Sequence, residues 1–575
     1  MGGFLITMGN DARARLDRAS EVLGRAGLTP HYQLDEPSFS LTIFAKINGV
    51  TSHFHADPAD NFIGFVGTLV PKGGDNRHLL AAILADFTGR FNPADFFYGH
   101  YIILVRKNGK LFMFTDPLGA LKIYFSNSKD TISSSFIATL AASTVLQLDD
   151  LAVFQYIWNG CTFGERTIAT EISTVPTGKI GTITGAQFAI ESGPAVTFHT
   201  RDKPYTNFAQ TVDCYADRLV RLFEAYKAAF GDRIVAALSG GLDSRLNVAA
   251  LRRVGIEPDL FVYGDSRDDD VRIASMLATG EKLRLSHIDK RTIAIEDEQV
   301  GRNVVAFDGY DPDAIVARDA DLVDRTRRVA GGRILLSGAA GEIFRNFFYL
   351  RDRDFSARSM IDVFFARYTR CFRASAERSA YEREIVRTML AAIGSHSDRL
   401  QRWQVELVYP LFRGRYWTAR DLEINQRFGH ALYPYLEADI IRDACWIPWD
   451  WKWNFRFELA LIRRLDDRLL DYPTVYSGNR VGSRLSTAKW LELYLSGWKP
   501  LWLRRNAYAL RQLMSRRGAG CGVSGGPETA TAADRYLEWV VPGTEAFARV
   551  QGLRNLCVTV GSWQHGTCRG ASTWS

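Results

Sequence analysis

The chain has 575 residues, more than one hydrophobic core accommodates, so two or more domains are expected. Its 46% hydrophobic and 23% charged residues suit a globular protein, and the net charge of +7, from 71 basic and 64 acidic side chains, is slight for so large a surface. With no basic block interleaved with aromatics, and no apolar run longer than Phe62 to Val70, neither nucleic acid nor a membrane is expected as a partner.

Charge arrives early, at Asp11, Arg13 and Arg15, which speaks against a secretory segment, and Ile6 departs from the myristoylation pattern. Helices are predicted from Ala12 to Ala26 and from Arg77 to Thr88. Ser40 to Ile47, Phe62 to Val70, Tyr101 to Val105, Leu111 to Thr115 and Ile123 to Ser126 read as strands, with Lys107-Asn108-Gly109 as a hairpin turn. This mixture predicts an α+β domain over residues 1–203. Beyond Pro204 an amphipathic helix is expected from Phe208 to Phe230, on the spacing of Val212, Tyr215, Leu219, Leu222 and Tyr226. Strand candidates Arg233 to Leu238, Leu260 to Tyr263 and Arg333 to Leu336 then alternate with helical segments, the pattern of a parallel sheet in an α/β domain over residues 204–575. From Ile343 on, Trp, Phe, Leu and Arg dominate and helix is expected, with Gly518 to Ala533 as a loop. The seven cysteines, Cys161, Cys214, Cys371, Cys445, Cys521, Cys557 and Cys568, lack CxxC spacing. A disulfide framework or zinc site is therefore not expected, and a reducing cytoplasm is.

The sharpest local signal is Ala236-Ala237-Leu238-Ser239-Gly240-Gly241-Leu242-Asp243-Ser244. An apolar strand runs into two glycines flanked by hydroxyls, and a helix begins directly after. Gly240 and Gly241 permit positive φ and a close approach of N–H groups to phosphate, and the helix start adds partial positive charge. Ser239 and Ser244 can donate to the same oxygens. Asp243 repels phosphate, so its natural task is to hold Mg²⁺ bridging to it. No Walker-type Lys-Ser/Thr follows. A plain strand-to-helix turn is the bland alternative, and the embedded carboxylate speaks against it.

The loop resembles that of the ATP pyrophosphatase class, which implies ATP as substrate with AMP and pyrophosphate as products. Leu335-Leu336-Ser337-Gly338-Ala339-Ala340-Gly341-Glu342 is similar to the second loop of asparagine synthetases, and Tyr433-Pro434-Tyr435-Leu436-Glu437 to a Val-Pro-Phe-Leu-Asp segment downstream in that family. Gly99-His100-Tyr101 and Asp116-Pro117-Leu118-Gly119-Ala120-Leu121-Lys122-Ile123-Tyr124-Phe125 resemble its glutaminase domain. The resemblance implies a degenerate Ntn-hydrolase-like domain followed by an ATP-pyrophosphatase domain. It further implies that Leu238, Val262, Ser337 and Gly338 line an adenosine pocket, and that Glu342 joins Asp243 on Mg²⁺.

Departures from the family pattern suggest the reaction. The family's glutaminase needs Cys at position 2, and here Gly2 offers no nucleophile, so glutamine is not expected as nitrogen source. The family's acidic residue in the second loop falls on Ala339, its catalytic Glu on His430, and its charge-steadying Lys on Arg480, with Lys489 as the rival. These changes point to an amine other than ammonia. Of the relatives that dispense with glutamine, β-lactam synthetases use a Tyr/Glu pair, which falls here on Ala339 and His430. The chain looks more like the lasso-peptide macrolactam synthetases. That likeness implies adenylation of an Asp or Glu side chain in a precursor peptide, then attack by the peptide's own α-amine. His430 is the candidate base, since an unperturbed imidazole pKa of about 6.5 suits an amine near about 7.7–8.0. Arg480 is the candidate for stabilising developing charge. Trp446 to Trp453 and Trp417 are candidates for lining a substrate cavity, against the blander reading as core aromatics. A leader-peptide protease and a leader-recognition protein are possible partners. The rival expectations are a synthetase using ammonia or a small amine, a β-lactam synthetase-like enzyme, and an inactive nucleotide-binding scaffold.

Overall fold

Two six-stranded antiparallel sheets occupy the first third of the chain. One has the order β10-β8-β9-β1-β3-β2 and the other β12-β11-β7-β6-β5-β4. Their strands are β1 (Gly3–Met8), β2 (Pro30–Asp35), β3 (Phe39–Phe44), β4 (Phe54–Ala56), β5 (Phe62–Pro71), β6 (Phe97–Lys107), β7 (Lys110–Thr115), β8 (Tyr124–Ser126), β9 (Thr131–Ser133), β10 (Ile172–Thr174), β11 (Lys179–Thr184) and β12 (Gln187–Ser192). Alternation along each strand decides which way side chains face. Phe4, Ile6 and Met8 of β1 share a core with Val66 of β5 and with Ile102 and Leu104 of β6. Leu5 instead joins Leu16, Ala19 and Leu23 of the helix Ala12–Arg25. Ile103 and Val105 join Leu80, Ile83 and Leu84 of the helix Leu79–Asp86. The layers therefore run helix, sheet, sheet, helix. β6 and β7 pair through Lys107 and Lys110, with Asn108 (φ 52°) and Gly109 (φ 73°) in the tight turn between them.

The computed structural model describes residues 1–49, 54–73, 78–143, 145–194, 196–289, 300–310, 319–364, 377–477, 485–504, 506 and 530–564. In its second part the helix Phe208–Phe230 precedes a five-stranded parallel sheet. The strands are β13 (Ile234–Ala237), β14 (Asp259–Tyr263), β15 (Leu285–Ile288), β16 (Ile334–Leu336) and, beyond a two-stranded ribbon β17 (Phe355–Ser356) and β18 (Arg399–Leu400), β19 (Ala431–Leu432). Their order is β15-β14-β13-β16-β19. The chain thus builds outward from β13 to β15, then returns to the other side of β13 with β16. The fold is mixed α/β, and helices dominate beyond β16. Among the described residues no helix is long and apolar enough to cross a membrane.

The sandwich and the parallel sheet are tied at the amino end of β19. Lys46 Nζ donates to Gln426 O (2.5 Å), Gln426 Oε1 (3.0 Å) and Gly429 O (3.1 Å). Thr68 Oγ1 of β5 donates to Gln426 Oε1 at 2.7 Å. Farther along, Glu437 Oε1 accepts from Gly99 N at 2.9 Å and from Tyr226 Oη at 2.8 Å. Gly99 is forced to be glycine, with φ at 100° and room for a Cβ only 2.2 Å from Thr68 O.

Candidate active site

Two turns leave the sheet side by side at its carboxyl end. β13 passes through residues 238–242 into the helix Asp243–Arg253, and β16 through residues 337–340 into the short turn Gly341–Phe344. They flank the point where strand order reverses, the position at which open parallel sheets form a ligand crevice. The first turn is held by its own hydroxyls. Ser239 N donates to Ser244 Oγ (3.0 Å), the two Oγ atoms are 3.1 Å apart, and Gly241 N donates to Ser239 Oγ (3.2 Å). Gly240 N donates to Asp270 Oδ1 at 2.7 Å. Leu238 and Val262 are buried in the core beneath, and Ser337 O accepts from Asn247 Nδ2 at 3.0 Å.

The glycines serve by their size. Neither Gly240 nor Gly241 adopts positive φ, contrary to the expectation from sequence. A Cβ on Gly240 would instead fall 2.6 Å from Val475 Cγ1, and one on Gly341 would fall 2.3 Å from Asp243 Oδ1. A Cβ on Gly338 would meet Ser244 N at 3.0 Å, so the two turns pack backbone to backbone.

Asp243 opens a cluster of three carboxylates around one guanidinium. Arg345 Nη2 donates to Asp243 Oδ2 at 2.7 Å and lies 3.2 Å from Glu342 Oε1. Its Nη1 reaches Tyr476 Oη at 3.2 Å and stands 4.0 Å from Glu458 Oε2. Tyr409 Oη donates to Glu342 Oε2 at 2.5 Å. Tyr435 Oη donates to the Asp243 carbonyl at 3.0 Å, which fixes the start of the helix. Glu458 is fully buried and abuts Asp243. No N–H or hydroxyl reaches Asp243 Oδ1 or either oxygen of Glu458, and the two carboxyls lie within hydrogen-bonding reach of each other.

Burial pushes the Asp243 carboxyl up to about 6, against the pull of Arg345 and with the push of Glu342. Burial and then the Asp243 charge hold Glu458 well above the usual carboxylate range. Such a cluster is short of positive charge, a property expected of a site that receives a cation. Among the described residues no group of three or more His, Cys, Asp or Glu could hold a metal ion by itself. A cation carried on phosphate oxygens needs fewer protein ligands, and the donorless Asp243 Oδ1 is fit to supply one.

The expected site residues divide. Ser239, Gly240, Gly241, Asp243, Ser244, Ser337, Gly338 and Glu342 do come together at the two turns. His430 does not. It precedes β19, its carbonyl accepts from Leu335 N, and its Nδ1 lies 3.0 Å from Thr68 Oγ1, with the Phe230 ring tilted against it at 5.5 Å. All of these mark the amino end of the sheet, opposite Asp243, so the base assignment is corrected: counting back from Pro434 ignored the direction of the intervening strand. Arg480 and residues 518–529 of the expected loop lie outside the described residues. Lys489 ends on Glu492 at 3.1 Å on an outer helix. The tryptophans pack on one another, Trp403 on Trp446 and Trp449 on Trp453, both at 5.0 Å, and Trp417 takes Arg413 over its ring at 4.3 Å. Arg345, Tyr409, Glu458 and Asp270 were missed in the sequence. Only Asp270 carried a local signal, the Asp268-Asp269-Asp270 run opening the helix after β14.

No family profile and no curated protein matches this chain. Among solved structures it is similar to the glutamine phosphoribosylpyrophosphate amidotransferase of B. subtilis complexed with ADP and GMP, at 10% identity and a TM-score of 0.23, over 50% of this chain and 65% of that one. A structure described as the allosteric regulatory enzyme of purine biosynthesis aligns at 11% identity and a TM-score of 0.24, over 50% of this chain and 80% of that one. The chain thus spans just under two thirds of the former's length. Scores this low carry no conclusion about chemistry, which rests on the residues themselves.

One such residue is Gly2. A Cβ there would fall 2.7 Å from both Ala45 O and Leu28 Cδ2, and 3.0 Å from Lys46 Cα. Position 2 has no space for a side chain.

Proposed function

We propose that this chain is an AMP-forming carbon–nitrogen ligase that closes a macrolactam in a precursor peptide, with no glutaminase step. The single observation that carries the reading is Asp243, a carboxylate with one donorless oxygen at the head of a helix, set in the crevice of a parallel sheet between two turns too tight for side chains. An ATP-pyrophosphatase domain accounts for that combination. Magnesium would be held by Asp243 and a second carboxylate of the cluster, Glu342 in the sequence reading, and would neutralise charge on the nucleotide's phosphates.

The chain's own groups then have definite work. The two serines and the head of the helix Asp243–Arg253 face the phosphates, with the Ser239–Ser244 bonds yielding to them. A peptide carboxylate attacks the α-phosphorus and pyrophosphate leaves. The peptide's α-amine next attacks the acyl-adenylate carbonyl, and AMP leaves. The amine must give up a proton, and with His430 at the wrong end the hydrogen-bonded Tyr409–Glu342 pair is the acceptor within the pocket. Arg345, held between carboxylates, remains to steady developing negative charge.

ATP–pyrophosphate exchange tests the proposal. Exchange that depends on an added precursor peptide supports it. Exchange with free aspartate moves the substrate to the amino-acid scale, and no exchange with any carboxylate leaves an inactive nucleotide-binding scaffold.

A further inference from the structure

The sequence reading pairs Asp243 with Glu342 on the nucleotide-borne cation, yet the two candidates for second ligand stand in opposite condition. Both oxygens of Glu342 are engaged: Oε2 accepts from Tyr409 Oη at 2.5 Å, and Oε1 is 3.2 Å from Arg345 Nη2. Neither oxygen of Glu458 has an N–H or hydroxyl partner, nor does the Oδ1 of Asp243, so the two carboxyls are left to each other. The nearest positive charge to Glu458, Arg345 Nη1, stands at 4.0 Å, beyond hydrogen-bonding reach. Arg345 is committed to the outer oxygen of Asp243, Oδ2, at 2.7 Å. Glu458 is carried by the helix Arg456–Asp466, entered through Asn454 (φ 53°) and Phe455 (φ 62°), so its place is set by backbone rather than by a mobile arm. A fully buried carboxylate without N–H or hydroxyl partners is among the costliest groups a protein interior can hold, and it persists where it takes a proton or where a cation completes it.

We propose that Glu458, and not Glu342, is the second protein ligand of the divalent cation, bound with Asp243 Oδ1 on the inner side of the pocket. This rests on the nucleotide reading of the Asp243 turn and sharpens it. Two protein oxygens with phosphate and water oxygens make up an octahedral shell at about 2.1 Å. The division of labour follows: Asp243 and Glu458 hold the cation, while Glu342 with Tyr409 stays available for proton transfer.

The rival account is that Glu458 is a protonated acid donating to Asp243. Glu458→Gln separates the two, because the amide keeps a donor to Asp243 Oδ1 and loses the charge. Titration of the full-length protein with Mn²⁺ and a non-hydrolysable ATP analogue, read by the paramagnetic signal of free Mn²⁺, should show about 10- to 100-fold weaker cation binding in E458Q, with E342Q much closer to wild type. Wild-type Mn²⁺ affinity in a folded E458Q, or a loss in E342Q as large as that in E458Q, overturns the assignment. The D243N control protects the distinction: if it too leaves Mn²⁺ binding untouched, the nucleotide reading falls, whereas loss in D243N alone sinks only the role of Glu458. Should E458Q not fold, the anomalous map of wild-type crystals grown with Mn²⁺ and the analogue decides. A peak between Asp243 and Glu458 supports the proposal, and one between Asp243 and Glu342 refutes it.

Discussion

At the amino end of the parallel sheet Lys46, Thr68, Gln426 and His430 close a polar cluster on itself, whereas at the carboxyl end Asp243 and Glu458 are left with three oxygens that no N–H or hydroxyl reaches. Lys46, Thr68, Gln426, His430 and Glu458 are all buried and Asp243 is partly so, so exposure alone does not tell the clusters apart. The difference is completeness. Lys46 Nζ, without a carboxylate partner, still has three acceptors for its three protons. Asp308, deeper in the joint with the sandwich, is served by Ser135, two backbone amides, Arg420 and Arg427. Polar groups that satisfy one another weld layers together; polar groups left wanting are placed for something that arrives later.

Substitutions can break this contrast. Asp243→Ala has the largest expected effect, loss of AMP formation by about 10²–10³-fold or more with the melting temperature preserved. Pyrophosphate release and a thermal melt on one preparation check it, and AMP formation at the wild-type rate would end the cation role of that turn. Asp308→Asn should do the reverse, destabilising the fold by about 3–5 kcal/mol because Arg427 loses its buried counter-charge and Arg420 is left with Glu423 alone. The folded remainder should keep its turnover. Against burial, which raises it, Arg427, Arg420 and Ser135 hold the Asp308 carboxyl below its usual value. Its contribution is therefore present above the unfolded pKa of about 3.9 and lost as pH falls through the folded value, so D308N should flatten the acid limb of stability against pH. His430→Ala is expected to cost about 1–3 kcal/mol through the Thr68 bond and Phe230 packing, while adenylation and ring closure keep their ratio. A selective slowing of ring closure would return His430 to the chemistry. Tyr435→Phe should be mildest, about 1 kcal/mol of stability for one hydrogen bond to the Asp243 carbonyl, with a modest fall in kcat.

What could be seen in the sequence was local. The helix Phe208–Phe230 follows its apolar spacing residue for residue, and β13, β14 and β16 lie where apolar runs meet turn residues. β1 escaped notice because all six residues are buried and no alternation marks them, and β19 because it is two residues long. The glycines of the first turn were found for the wrong reason. Neither has positive φ, and the contact that excludes a Cβ at Gly240 comes from Val475, more than two hundred positions away. Glu458, Arg345 and Tyr409 converge from separate helices and turns, and nothing in the neighbourhood of any one of them announces the other two.

The crowding at Gly2 also limits what the sandwich could become. Replacing it by cysteine would supply a sulfur and no place to put it, since Ala45 and Leu28 would first have to part. A cysteine nucleophile at this position would thus need coordinated changes in the residues packed around it. What the sandwich does offer the parallel sheet is a bed, through Lys46 and Thr68.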